Sequence, residues 1–219
     1  LSFDTNNGTI DGTPTELWTQ TAYLVWANNS GGASVAYLNI TVVDQVPILS
    51  YTPTNLNLTN NTVSSDLPLM PVLTGPGEIT SWTINASLPT GLTFGTNNGT
   101  IHGTPTQLWT QTAYTVWANN SGGSTVAYLN ITVVDEVPTS ILYTPENLTL
   151  TNNTAAPLFM PTINGAGDVV SWTLNTSFLP SGVSFGNSNG TLYGTPTELW
   201  STTAYMVWAN NSGGTVLAY

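Results

Sequence analysis

Phe3, Phe94 and Phe185 stand 91 residues apart, and so do Trp26, Trp117 and Trp208. The repetition extends well beyond these aromatics. Leu1–Tyr37 reads LSFDTNNGTIDGTPTELWTQTAYLVWANNSGGASVAY, and Leu92–Tyr128 reads LTFGTNNGTIHGTPTQLWTQTAYTVWANNSGGSTVAY. Val183–Tyr219 follows as VSFGNSNGTLYGTPTELWSTTAYMVWANNSGGTVLAY. The other half of the unit also recurs, as SWTIN at Trp82 and SWTLN at Trp172, and as LTNNT around Asn60 and again around Asn152. A fixed period inside one chain is architectural: one supersecondary unit is used in series. Residues 1–46 read as the second half of a module, 47–137 as a whole module, and 138–219 as a module lacking the counterpart of Leu129–Asp135, LNITVVD. The expectation is an excerpt from a longer array.

Each unit reads as all-β. Thr112–Val134 has the form of a hairpin, with TAYTVWAN, the turn NSGG and STVAYLNITVV in succession. Paired glycines between β-branched and aromatic runs specify a tight turn. On the return strand Leu129, Ile131 and Val133 share one face, leaving Tyr128, Asn130 and Thr132 on the other. Ile79–Asn85 and Asn55–Thr59 give further short strands, and no stretch carries a 3.6-residue apolar period. About seven short strands in ~90 residues predict an immunoglobulin-like β-sandwich. Tandem repeats of it predict a rod or fibre.

The segments Leu88-Pro89-Thr90-Gly91-Leu92-Thr93-Phe94, Gly99-Thr100-Ile101-His102-Gly103-Thr104-Pro105-Thr106 and Tyr114-Thr115-Val116 occur in that order. Leu179-Pro180-Ser181-Gly182 and Gly194-Thr195-Pro196-Thr197 repeat the pattern. Together they resemble the He_PIG family of immunoglobulin-like domains, part of the cadherin- and dystroglycan-like group of sandwiches. The resemblance implies large repetitive secreted or surface glycoproteins of archaea and bacteria, and it carries no catalytic residues across.

Composition narrows the partners. The chain has no Lys, no Arg and no Cys, against 11 Asp plus Glu and one His, and only 5% of its residues are charged. Ordinary domains run near 25%. Without cations there is no means of neutralising phosphates, which excludes nucleic acid and anionic lipid surfaces. No apolar run approaches the ~20 residues of a membrane helix, so no membrane span is expected within this stretch. Without cysteine a disulfide framework is excluded as well.

What the chain has instead is N-x-[ST]. Fourteen asparagines head such a triplet: Asn7, Asn28, Asn39, Asn57, Asn60, Asn85, Asn98, Asn119, Asn130, Asn147, Asn152, Asn175, Asn189 and Asn210. With 24 Asn, and Ser plus Thr at 57 of 219 positions, chance would place about six. The sheets also lack the edge lysines that ordinarily prevent edge-to-edge pairing, a protection that bulky hydrophilic glycans would supply. Covalent N-glycans are therefore expected, and with them an extracellular or cell-surface location.

Catalytic chemistry finds no foothold in the sequence. His102 is replaced by Asp11 and Tyr193 in the other modules, and no nucleophile–base pair repeats. No enzyme and no cofactor is expected. Calcium is one alternative at the module ends, where Asp44, Asp135 and Glu136 precede Pro47 and Pro138; its weakness is the small number of oxygen ligands. Trp26, Trp82, Trp117, Trp172 and Trp208 are expected to pack in cores, and Trp18, Trp109 and Trp200 to be partly exposed. The sequence thus predicts a non-enzymatic, N-glycosylated structural protein whose partners are its glycans and neighbouring repeats of the same or identical chains in a fibre. An adhesin that binds carbohydrate or another cell surface is the alternative.

Overall fold

The computed structural model describes residues 1–165, 167–176 and 178–218. Among them every regular element is a strand. In the module spanning 47–137 two sheets face each other. One runs, in spatial order, Asn55–Thr59, Gly123–Val134, Trp109–Asn120 and Ser81–Ile84. Its first pairing is parallel, with Asn55 beside Asn130 and Thr59 beside Val134, while the others are antiparallel. The facing layer holds two short ladders, Ile48–Tyr51 with Pro71–Thr74 and Leu92–Phe94 with Ile101–Gly103. An isolated bridge between Leu69 and Ile101 joins this layer to the segment leading into Pro71.

The hairpin forms as its alternation dictates. Tyr114, Val116 and Ala118 from one strand and Leu129, Ile131 and Val133 from the other enter the core, each no more than 2% exposed. Burying one such large side chain contributes roughly 1.5–3 kcal/mol. The turn closes because Asn120 Oδ1 accepts from the amides of Gly122 (2.9 Å) and Gly123 (3.1 Å). Facing the hairpin, Trp82 lies against the turn containing Asn98, Gly99 and Thr100. A Cβ on Gly99 would come within 2.3 Å of the indole, and Gly99 has φ +69°. Tyr51 donates its hydroxyl to Gly99 O at 2.5 Å. In the next module Trp172 and Tyr143 hold Gly190 in the same way, with Tyr143 Oη 2.6 Å from Gly190 O.

The flanking modules show what each half contributes. In the first, the hairpin Trp18–Asn29/Gly32–Val42 and the pair Ser2–Phe3/Ile10–Asp11 form without a facing half. Its inner side opens onto an apolar cleft of about 640 Å³ that includes Phe3, Val25, Leu38 and Ile40. Tyr23 there is 38% exposed, whereas its equivalent Tyr114 is 1% exposed. In the third module the hairpin strands are only Val207–Asn211 and Gly214–Ala218. Its core cluster is correspondingly small: Ile141, Trp172, Val207 and Ala209.

Candidate functional site

The fourteen sequons fall into distinct structural settings. Asn119 and Asn130 lie on the outer face of the hairpin sheet, as Asn28 and Asn39 do in the first module and Asn210 in the third. Asn119 Nδ2 donates to Ser81 Oγ at 3.0 Å, and Asn130 Nδ2 donates to Asn55 Oδ1 at 2.8 Å. Asn210 Nδ2 reaches Ser171 Oγ at 3.5 Å, and its Oδ1 accepts from Thr215 at 2.6 Å. Asn7, Asn98 and Asn189 head turns in which the side-chain oxygen accepts the amide two residues on, at 2.9, 3.1 and 3.1 Å. In two of these turns the sequon hydroxyl is inaccessible: Thr100 and Thr191 are 8% and 4% exposed, and both hydroxyls lack a partner.

Asn85 and Asn175 each directly follow a strand, with Oδ1 accepting from Thr115 N (3.0 Å) and Met206 N (3.1 Å). The Ser177 of the Asn175 sequon lies outside the described residues. Asn57 points outward between the buried Leu56 and Leu58, and Asn147 is exposed. Asn60 and Asn152 are half-buried, each with an Oδ1 that is shielded and unpartnered.

Three tryptophan expectations are corrected. Trp117 and Trp208 are not core residues. Tyr114, Val116 and Ala118 take the inward positions of that strand, so Trp117 is on the outer face in register with Val126 and Thr83. Trp208 likewise pairs with Leu217 and Thr173. Trp26, expected in a core, is 59% exposed. Trp109 is partly exposed, as expected, with its remaining surface packed against the core, and Trp18 and Trp200 are exposed. A register shift between Trp109 and Thr112 breaks the strict period of two there and sets Trp109 opposite the buried Val133. Trp82 and Trp172 are buried at 5% and 4%. His102 stands exposed on its strand.

The module ends meet the following hairpin turn in a repeated set of contacts. The Asp44 amide donates to Ser121 Oγ at 2.9 Å, Ser121 Oγ donates back to Asp44 Oδ2 at 2.8 Å, and Asn120 Nδ2 donates to Gln45 O at 2.8 Å. Ninety-one residues on, Asp135 and Ser212 exchange the same pair of bonds at 2.8 and 3.1 Å, and Asn211 Nδ2 donates to Glu136 O at 2.7 Å. The turn must be glycine here. A Cβ on Gly122 would lie 1.8 Å from Asp44 O, and one on Gly213 would lie 1.9 Å from Asp135 O. Of the three carboxylates of the calcium alternative, Asp44 and Asp135 are thus engaged by serine and Glu136 is exposed. Among the described residues no three His, Cys, Asp or Glu side chains gather to hold a metal.

The chain is similar to several known proteins. "Serine-rich adhesin for platelets" of Staphylococcus aureus strain N315 is 26% identical over 159 residues, covering 70% of this chain and 7% of that protein. Its counterpart in strain MRSA252 is 27% identical over 139 residues, covering 64% of this chain and 10% of that protein. The chain therefore spans a tenth or less of the length of these curated relatives. Among solved structures, the titin I-band fragment I67–I69 covers 90% of this chain and 72% of its own length at 14% identity and TM-score 0.43. Protocadherin gammaB7 EC3-6 covers 90% and 57% at 14% identity and TM-score 0.36. The model of the family described as "Putative Ig domain" (He_PIG) matches residues 46–134 and 138–217, most of the chain and both of its two-layered modules. The chain belongs to that family.

Proposed function

We propose that the chain is a stalk segment of a non-enzymatic, adhesin-type surface protein, its modules held end to end and sheathed in N-linked glycan. The repeated clasp between Asp44 and Ser121, and between Asp135 and Ser212, carries this reading. A spacer needs junctions that resist bending, and here each linker is bound from its backbone amide, its carboxylate and the carbonyl of the next residue. Pro47 and Pro138, both buried, fix φ immediately after it. Similarity to the staphylococcal adhesins supports a surface setting. The sequon excess and the missing lysines support glycosylation. A structural filament of many such chains is the narrower form of the same reading.

The test is solution scattering on the intact chain together with glycopeptide mass spectrometry. A hairpin strand of 12 residues at ~3.3 Å per residue implies about 40 Å per module along the axis. An extended particle with sugar on several asparagines is the expected result. A compact particle, or a chain bare at every sequon, would overturn the proposal.

A further inference from the structure

We infer that the outer aromatic face of the hairpin sheet is a built platform for the chain's own N-glycans, anchored at Asn119 and Asn130. This rests on the glycoprotein reading above and goes further by naming where the sugar lies. The register sets the face out in four rows. Asn119 is opposite Ser124, Trp117 opposite Val126, Thr115 opposite Tyr128, and Ala113 opposite Asn130. The two large aromatic residues therefore occupy the middle rows, and a sequon asparagine stands at each end. Along a strand a residue and its second neighbour share a face at a step of about 7 Å, which the first or second sugar ring attached to either asparagine can span.

Four further observations point the same way. Tyr128 is 69% exposed and Val126 is 39% exposed, on the face turned away from the core. The arrangement is repeated in the first module, where Asn28, Trp26, Tyr37 and Asn39 hold the equivalent rows, and Asn210 and Trp208 hold the first two rows of the third. Of the fourteen sequons, the five on hairpins are those with an aromatic residue two positions earlier: Trp before Asn28, Asn119 and Asn210, and Tyr before Asn39 and Asn130. Finally, each anchoring amide on the central face has one recorded acceptor, Ser81 Oγ for Asn119 and Asn55 Oδ1 for Asn130. A glycosylated amide keeps one N–H, so each can retain its bond while the other position carries sugar.

In the attachment step the amide nitrogen forms a bond to the anomeric carbon of a lipid-linked oligosaccharide. The sugar–phosphate C–O bond breaks, the lipid pyrophosphate leaves, and the amide proton passes to solvent. The C–H face of the attached sugar then covers the indole and phenol, as apolar surface covers other aromatic faces. A face with no cations offers little to acidic partners, and the sequon asparagines at its two ends supply neutral, hydroxyl-rich sugar as its occupant.

The experiment uses the chain produced by cells that glycosylate it, digested with glutamyl-specific protease or chymotrypsin because it has no Lys or Arg. Site occupancy at Asn119 and Asn130 is read first. A double-mutant cycle then combines Trp117→Ala with Asn119→Gln, with unfolding followed by denaturant; Trp117 is outside the core, and effects of Gln on the Ser81 contact cancel in the cycle. Occupied sites whose glycan contributes about threefold to tenfold in folding equilibrium with Trp117, and nothing without it, are the expected result. Occupied sites with no coupling would overturn the platform and leave the glycoprotein reading standing. Sugar at other sequons with Asn119 and Asn130 bare would do the same. A chain bare throughout overturns both. Added free oligosaccharide that protects Trp117 from fluorescence quenching in the glycosylated chain would show the face open to outside sugar and overturn the assignment to the chain's own glycans.

Discussion

Gly8 and Gly99 occupy equivalent turns with nearly the same backbone, φ +75° and +69°, yet a Cβ on Gly8 meets nothing within 4 Å while one on Gly99 would strike Trp82. The pair separates two costs within one molecule. Gly8→Ala is expected to cost only the left-handed strain, about 1 kcal/mol. Gly99→Ala adds overpacking against the indole, about 1–3 kcal/mol more, and denaturant unfolding of the two variants reads the difference directly. The tyrosines that clasp the Gly99 and Gly190 turns give a pH signature. Burial pushes the Tyr143 hydroxyl up to about 12 and raises Tyr51 in the same direction. An unfolded tyrosine ionises near 10, so the fold favours the neutral form. Its stabilisation is complete below about pH 10 and is lost as pH rises through 12. Cooperative unfolding above pH 10, followed by tryptophan fluorescence, is the expected outcome, and Tyr143→Phe should flatten that limb while costing about 1 kcal/mol at neutral pH. At this scale the sequence was partly legible. The repeating NGT triplets were visible, but that Thr100 is buried beneath its turn was not, because burial there is imposed by Trp82 and Tyr51 from distant strands. The same holds for Trp109, which the irregularity between Trp109 and Thr112 sets opposite the buried Val133, a shift that alternation alone does not reveal.

Strand by strand, the third module is a deletion experiment on the second. Residues 147–151, NLTLT, correspond to Asn55–Thr59, NLNLT, but form no strand. The intrinsic preferences are almost identical, so the difference is the partner: Asn55–Thr59 pairs with Asn130–Val134, which the third module does not have here. The opposite neighbour suffers too, since Trp109–Asn120 spans twelve residues and its counterpart only Val207–Asn211. A single return strand therefore holds one strand on each side, as expected where pairing and burial rather than propensity decide β structure. Appending Leu-Asn-Ile-Thr-Val-Val after Tyr219 is expected to raise amide-exchange protection at Leu148 and Leu150 to the level of Leu56 and Leu58. Unchanged exchange would show that those residues need something other than a partner. The hairpins, their turns and the Leu129/Ile131/Val133 face were readable from alternation and glycine placement. The parallel pairing of Asn55–Thr59 with the last strand was not, because nothing local encodes which distant edge a short strand will join.

Along the whole chain, stiffness at the junctions could come from the clasp or from charge, and the two sources respond differently to salt. The net charge of −11 with no cations makes successive modules repel. Exposed charges more than about 10 Å apart are screened at 0.1 M salt. The clasp, by contrast, is built from hydroxyl, amide and carbonyl groups closed on one carboxylate, with no ion pair to screen. If the clasp holds the junction, the maximum dimension from scattering should stay nearly constant between low and high salt, and a chelator should leave it unchanged. Gly122→Val should then shorten the particle at every salt concentration, because its Cβ would overlap Asp44 O and drive the turn off the linker. Ser121→Ala should do so more mildly, since it removes a hydroxyl without adding bulk. Each variant leaves the hairpin core of Tyr114, Val116 and Leu129 intact, so module unfolding should change little while shape changes much. Should shape follow salt and ignore Gly122→Val, repulsion would be the stiffening force and the junction contacts incidental to it.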